Sequence, residues 1–180
     1  MQKNLRRWQL RERTAAAHKV VDSVVGDFTT AGDYRRYVAA SYAFRAPLER
    51  QLSARDWPNA LESWRPGPVT AALRDDLDDL DVPLPAEAAE PVPAEGLLGT
   101  LYVLEGSALG ATILLRRAEA LGFGAQFGAR HLAVQCHDIG RWRGFLAALE
   151  AAQPFDIDRA AEASLAAFAA AASAYRGTCP

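Results

Sequence analysis

Apolar positions recur along this chain at intervals of three and four residues, and no stretch alternates with period two over a useful length. From Leu5 to about Val25, the residues Leu10, Thr14, Ala17, Val21 and Val24 mark one face of an amphipathic helix. Thr30-Ala31-Gly32-Asp33 reads as a turn with a capping residue, followed by a helix from Tyr34 to about Arg55 that Pro47 should kink or divide. Trp57 to Pro68, with Pro58, Pro66, Gly67 and Pro68, is a loop. Val69 to Leu80 is a short helix with Leu73, Leu77 and Leu80 inward, and the proline-rich segment from Asp81 to Glu95 is a second loop. A long, largely buried helix follows from Gly96 to Arg117, and Gly122, Gly124 and Gly128 end it. Ala129 to Cys136 reads as a turn of helix. Asp138 can cap a helix from Ile139 to Leu149 with Trp142, Phe145 and Leu146 inward, and Asp156 or Asp158 a final alanine-rich helix ending near Tyr175. The pattern predicts an all-α fold of six to eight helices around one core, with residues 1–180 forming one domain.

The long helix carries an anomaly. At 100° per residue Gly99, Gly106, Gly110 and Val103 fall within about 60° of arc and form one stripe. Each interior glycine costs roughly 1 kcal/mol of helix propensity against alanine. Two structures offset such a cost: a close helix–helix crossing, or a backbone that kinks or lies against a flat object. The stripe alone leaves both open.

Composition narrows the picture. Half of the 180 residues are hydrophobic and 23% are charged, as in an ordinary soluble domain. A net charge of −2 provides no field for nucleic acid or an anionic membrane, so neither is an expected partner. Cys136 and Cys179 have no metal or redox spacing and suit a reducing compartment. No apolar run follows Arg6, Arg7, Arg11 and Arg13, as a signal peptide requires, and the alanine-rich C-terminal tract is too weakly hydrophobic to span a bilayer. A cytoplasmic monomer is expected.

Candidate chemistry is sparse. Arg11 and His18 lie nearly in line along the first helix, roughly 10 Å apart by helical rise, and Asp22 one turn beyond His18 can reach its imidazole. A lone histidine at the rim of an apolar face is commonly a satisfied core residue, and the in-line arginine and carboxylate weigh against that. Asp75, Asp76, Asp78 and Asp79 circle their helix and read as a solvated face, not a cation site. His131 and His137 flank Cys136 in no standard zinc spacing. There is no GxGxxG, Walker-type loop, HExxH or nucleophile elbow. A binding protein fits, and so does an enzyme whose cofactor or substrate brings the reactivity.

Two stretches together resemble the haem oxygenase family. Leu10 to Asp22, LRERTAAAHKVVD, is similar to its proximal helix, with a threonine four residues before the ligating histidine. Leu101 to Ala111, LYVLEGSALGA, is similar to the distal helix of the bacterial branch, where EGS-x-LG recurs. Trp142-Arg143 with Phe145 resembles the later helix that supplies an arginine near a propionate. Order, separation and chain length also fit.

The resemblance implies that haem is both substrate and cofactor, with His18 the iron ligand and Asp22 the acceptor that orients it. It implies that Arg11, Tyr102 and Arg143 are propionate neighbours, and that Gly106 and Gly110 are distal glycines whose backbone lies over the porphyrin. Ala111 stands where many relatives have a further glycine, and Ser107 stands where the animal enzymes have an aspartate that organises distal water. The implied activity is oxidative opening of haem to biliverdin, releasing carbon monoxide and ferrous iron. It consumes O2 and electrons from a separate reductase or ferredoxin, since the chain has no flavin, nicotinamide or iron–sulfur motif. The alternatives are a non-catalytic haem-handling protein on the same fold and a helical interaction module without haem.

Overall fold

Helix α1, Leu5–Val25, and helix α8, Ile157–Gly177, pack side by side along most of their length. The structure, a computed structural model, describes residues 5–86, 96–137 and 139–177. Between those two helices come α2 (Ala31–Ser53), a 3-10 turn (Asn59–Leu61), α3 (Thr70–Asp79), α4 (Leu97–Gly106), α5 (Ala108–Ala120), α6 (Arg130–His137) and α7 (Ile139–Ala151). Among the described residues there is no strand beyond isolated bridges around Gly124. The all-α expectation holds. The cap expected of Asp138 lies outside the described residues, as does Cys179.

Helix α2 starts three residues before the expected Tyr34. Thr30 Oγ1 accepts from Asp33 N at 3.1 Å while the Asp33 carboxylate accepts from Thr30 N at 2.7 Å, a reciprocal cap. Pro47 does not divide the helix, which runs unbroken to Ser53. Ala46, Pro47 and Leu48 are all buried there, so tertiary packing holds the turn that proline weakens. Asp156 is the residue that caps α8, accepting from Asp158 N and Arg159 N.

The core has two main parts. Leu10, Leu48, Leu101, Leu104, Trp142, Phe145 and Leu149 join α1, α2, α4 and α7. Tyr34, Tyr37, Leu73, Leu77, Ala111, Ala118 and Leu132 join α2, α3, α5 and α6. Within the segment Leu97–Ala120 an 18-residue stretch reaches a mean hydropathy of 1.5, long and apolar enough by length and composition to cross a membrane. It is nevertheless the centre of the fold: α4 packs on α8 and α7, and α5 on α6.

The expectation of a solvated aspartate face fails at Asp76, whose side chain is fully buried. Its carboxylate accepts from Arg130 N at 2.8 Å and His131 N at 3.0 Å, capping α6 from a neighbouring helix. His131 Nδ1 lies 2.7 Å from the same group. Asp79 adds a bond from Gly128 N at 2.8 Å. Asp75 and Asp78 are exposed.

Candidate haem site

The long helix breaks where its glycines lie. Helix α4 ends at Gly106 and α5 begins at Ala108, with Ser107 between them. Gly110 N–H bonds to Ser107 O at 3.1 Å, three residues back instead of four, so the first turn of α5 is tightened.

The three glycines divide in purpose. A Cβ on Gly99 would stand 1.9 Å from Ala160 O, so α4 and α8 cross there backbone to backbone. Ser164 Oγ, bonded to Gly99 O at 2.9 Å, closes that crossing. Among the described residues, a Cβ on Gly106 would meet only the Trp142 ring, at 3.8 Å, and one on Gly110 would meet nothing within 4 Å. Leu109 and Ile113 beside Gly110 are 54% and 57% exposed. At 100° per residue these two and the two glycines occupy roughly 100° of arc, an open apolar strip on the helix.

Helix α1 brings His18 to the same part of the molecule. Ala17 and Val21 pack with Val103 and Tyr102 of α4 and with Ala167 and Phe168 of α8, forming an apolar wall shared by three helices. His18 stands at its rim, edge-on to Phe168 with ring centroids 5.6 Å apart. Its Nδ1 is 2.8 Å from Asp22 Oδ2, and the side chain is 61% exposed. That contact occupies Nδ1 and leaves Nε2 as the ring nitrogen not engaged by Asp22, the arrangement a metal-ligating histidine needs.

The polar residues gather at the N-terminal end of α1. Tyr102 is half-buried on α4, with its ring 5.9 Å from that of Trp142. Burial raises its phenol above the ordinary value, while the Arg7 and Arg11 guanidiniums and a side-chain hydrogen bond with Thr14 oppose the rise. Arg7 lies 5.8 Å from the Trp142 ring, and Arg11 stacks over Trp8 at 5.0 Å. Arg7 is thus a basic neighbour that the motif reading missed. Its seven-residue spacing from Thr14 was the available signal. Arg143 is exposed on α7 beside Trp142.

Two further candidates point elsewhere. Ala111 is 1% exposed and packs into the core with Tyr37 and Leu132. Ser107 Oγ donates to Leu104 O at 2.7 Å and accepts from Arg45 Nη1 at 3.1 Å, so its hydroxyl is committed to the far side of the break. A cavity of about 280 Å³ lined by Arg45, Glu49, Trp57, Arg65 and Leu104 also lies on that side. Leu104 and Gly106 point in nearly opposite directions on α4.

No protein-family model matches the chain. It is 36% identical over 162 residues to heme oxygenase PigA of Pseudomonas aeruginosa, an alignment covering 82% of this chain and 78% of that protein. The chain belongs to the haem oxygenase family. A heme oxygenase of Xanthomonas campestris pv. campestris is 32% identical over 123 residues, 67% of this chain and 73% of its own. The crystal structure of the NO- and CO-bound heme oxygenase from Neisseria meningitidis superposes with a TM-score of 0.81. It covers 96% of this chain and 91% of that one at 26% identity. Membership in the haem oxygenase family supplies a flat, apolar, dianionic partner for a site of this shape. The residues fit it: an exposed imidazole held by Asp22 through Nδ1, bare glycine backbone with apolar flanks, and arginines at one end.

Proposed function

We propose that this chain binds haem between α1 and the α4–α5 break and opens it oxidatively to biliverdin, releasing carbon monoxide and ferrous iron. The observation that carries the reading is the pairing of an exposed His18, engaged by Asp22 through Nδ1 alone, with the open backbone at Gly110. Haem, as substrate, brings the iron and the conjugated ring on which O2 and electrons act.

The protein's share is orientation. Asp22 fixes the His18 tautomer and makes its free nitrogen a better donor. Arg11 and Arg7, with Tyr102 beside them, offer charge to the propionates at the solvent end, and Arg143 is a further candidate there. Contacts of this kind seat a carboxylate at a cost in affinity of a few kcal/mol at most when removed. The Gly106–Gly110 backbone excludes bulk from the distal face, and Leu109 and Ile113 keep its edge apolar. Ser107 and Ala111 belong to this segment, the first through the break it spans and the second by anchoring α5 to the core. Electrons come from an external donor, a ferredoxin or reductase, and the enzyme works as a cytoplasmic monomer of one domain.

One observation favours a second reading, a haem-handling protein without turnover. The acid nearest the glycines, Glu105, is 5% exposed and accepts from Gly67 N at 3.2 Å on the other side of α4. Hemin titration followed by ascorbate or a reductase decides between them. A Soret band followed by biliverdin absorption supports the oxygenase. A Soret band that never gives way to biliverdin supports the alternative, and no Soret band refutes both.

A further inference from the structure

We propose that Arg45, held by Glu49, is the positioning residue for the α4–α5 break and so sets where the Gly106–Gly110 backbone stands over bound haem. The claim rests on the haem reading for its consequence but on the ligand-free fold for its geometry.

Arg45 and Glu49 lie one turn apart on α2, and each side chain is 8% exposed. Arg45 Nε donates to Glu49 Oε1 at 2.8 Å, while Nη1 donates to Leu104 O at 3.2 Å and to Ser107 Oγ at 3.1 Å. Both acceptors sit at the break. Glu49 is itself anchored: it accepts from Val69 N and Thr70 N at 2.9 Å and from the Thr70 hydroxyl, at the start of α3. One planar guanidinium therefore ties α2, the N-terminus of α3 and the distal break together.

A buried ion pair by itself is weak evidence for stability, because desolvation offsets most of the attraction. Its location argues for a different role. Leu104 O and Ser107 Oγ flank Gly106, and Ser107 O is the acceptor that tightens the turn to Gly110. Moving the guanidinium shifts those atoms and hence the backbone that faces the ligand. Arginine's fixed fork suits this task, whereas lysine has one compact head and cannot reach Glu49 and the break at once.

The test uses Arg45→Lys, which keeps a positive charge beside Glu49, and Ser107→Ala, which removes the shorter arm at an exposed position. Amide hydrogen exchange of the ligand-free protein is read at residues 107–111, with α8 as the internal reference. Exchange at 107–111 is expected to rise about tenfold in Arg45→Lys and less in Ser107→Ala, with α8 unchanged. In the hemin complex, affinity stays within about threefold while the biliverdin isomer distribution broadens, because a shifted distal backbone no longer favours one edge of the ring. Unchanged exchange and an unchanged isomer pattern overturn the proposal and leave Arg45 a buried structural charge. If Arg45→Lys does not fold, Ser107→Ala must still loosen 107–111, and failure to do so is equally fatal. A parent protein that binds no hemin refutes the haem reading, and the exchange experiment then judges the clamp alone.

Discussion

Replacing Gly110 with leucine separates the two uses of the glycine stripe. In a ligand-free protein whose Gly110 faces open space, leucine adds helix propensity and meets no neighbour at Cβ. The gain is about 0.5–1 kcal/mol, toward the lower end because Gly110 is in the first turn of α5. For a chain of this size each kcal/mol moves the melting temperature by about 2–4 °C, so apo Gly110→Leu should melt 1–4 °C above the parent. Gly99→Ala is the matched opposite. Its Cβ would come 1.9 Å from a backbone oxygen on α8, which cannot rotate away as a side chain can. Separating α4 from α8 should cost about 1–3 kcal/mol or more, a fall of several degrees. The second arm is hemin binding, where the Gly110→Leu side chain enters the space assigned to the porphyrin and should weaken the Soret complex or divert its product. Calorimetric melts of both apo variants, followed by hemin titration, complete the comparison. A drop of more than about 2 °C in apo Gly110→Leu, or a variant that binds and turns over hemin like the parent, would refute the platform assignment.

Three further outcomes are expected. His18→Ala should leave the apo melt within about 0.5 kcal/mol of the parent, because the ring is exposed, while resonance Raman of the ferrous complex loses its iron–imidazole stretch. A retained stretch would point to His131 or His137. Arg11→Ala and Arg143→Ala should each weaken or rotate bound haem without abolishing binding, and unchanged hemin affinity and isomer pattern in both would make them ordinary surface charges. Burial holds the His131 imidazole below its unfolded value of 6.5 despite Asp76, with Tyr37 alongside and the Arg45 charge adding to the depression. The folded state therefore binds fewer protons than the unfolded state, so stability is intact above pH 6.5 and falls as pH drops below it. Chemical denaturation from pH 7.5 to 5 should show that decline, and Asp76→Ala should cost about 3 kcal/mol at pH 7 by stranding the α6 amides and His131. A flat pH profile would contradict the buried neutral histidine.

The sequence by itself determined the helices and the two motif faces, because both are local. Periodicity at 3.6 residues places Leu10, Thr14 and Ala17 on one face of α1, and the reach of one helical turn puts Asp22 on His18 without help from the rest of the chain. The family was legible for the same reason, since its two signatures are contiguous runs. Only the tertiary structure decided which glycine does what. Gly99, Gly106 and Gly110 share a stripe, and whether a Cβ meets Ala160 O, a tryptophan edge or nothing depends on where α8 and α7 lie. The same holds for Asp76, which one-dimensional reading assigned to a solvated run. Its carboxylate caps α6 across 54 residues of chain, and no periodicity encodes a partner that arrives from another helix. Arg45 and Ser107 are 62 residues apart and meet only because the fold brings the Arg45 side chain on α2 to the break. Side-chain spacing along one helix is fixed by backbone geometry, whereas contact between helices is fixed by how their buried faces close on one another, and that closure is a property of the whole chain.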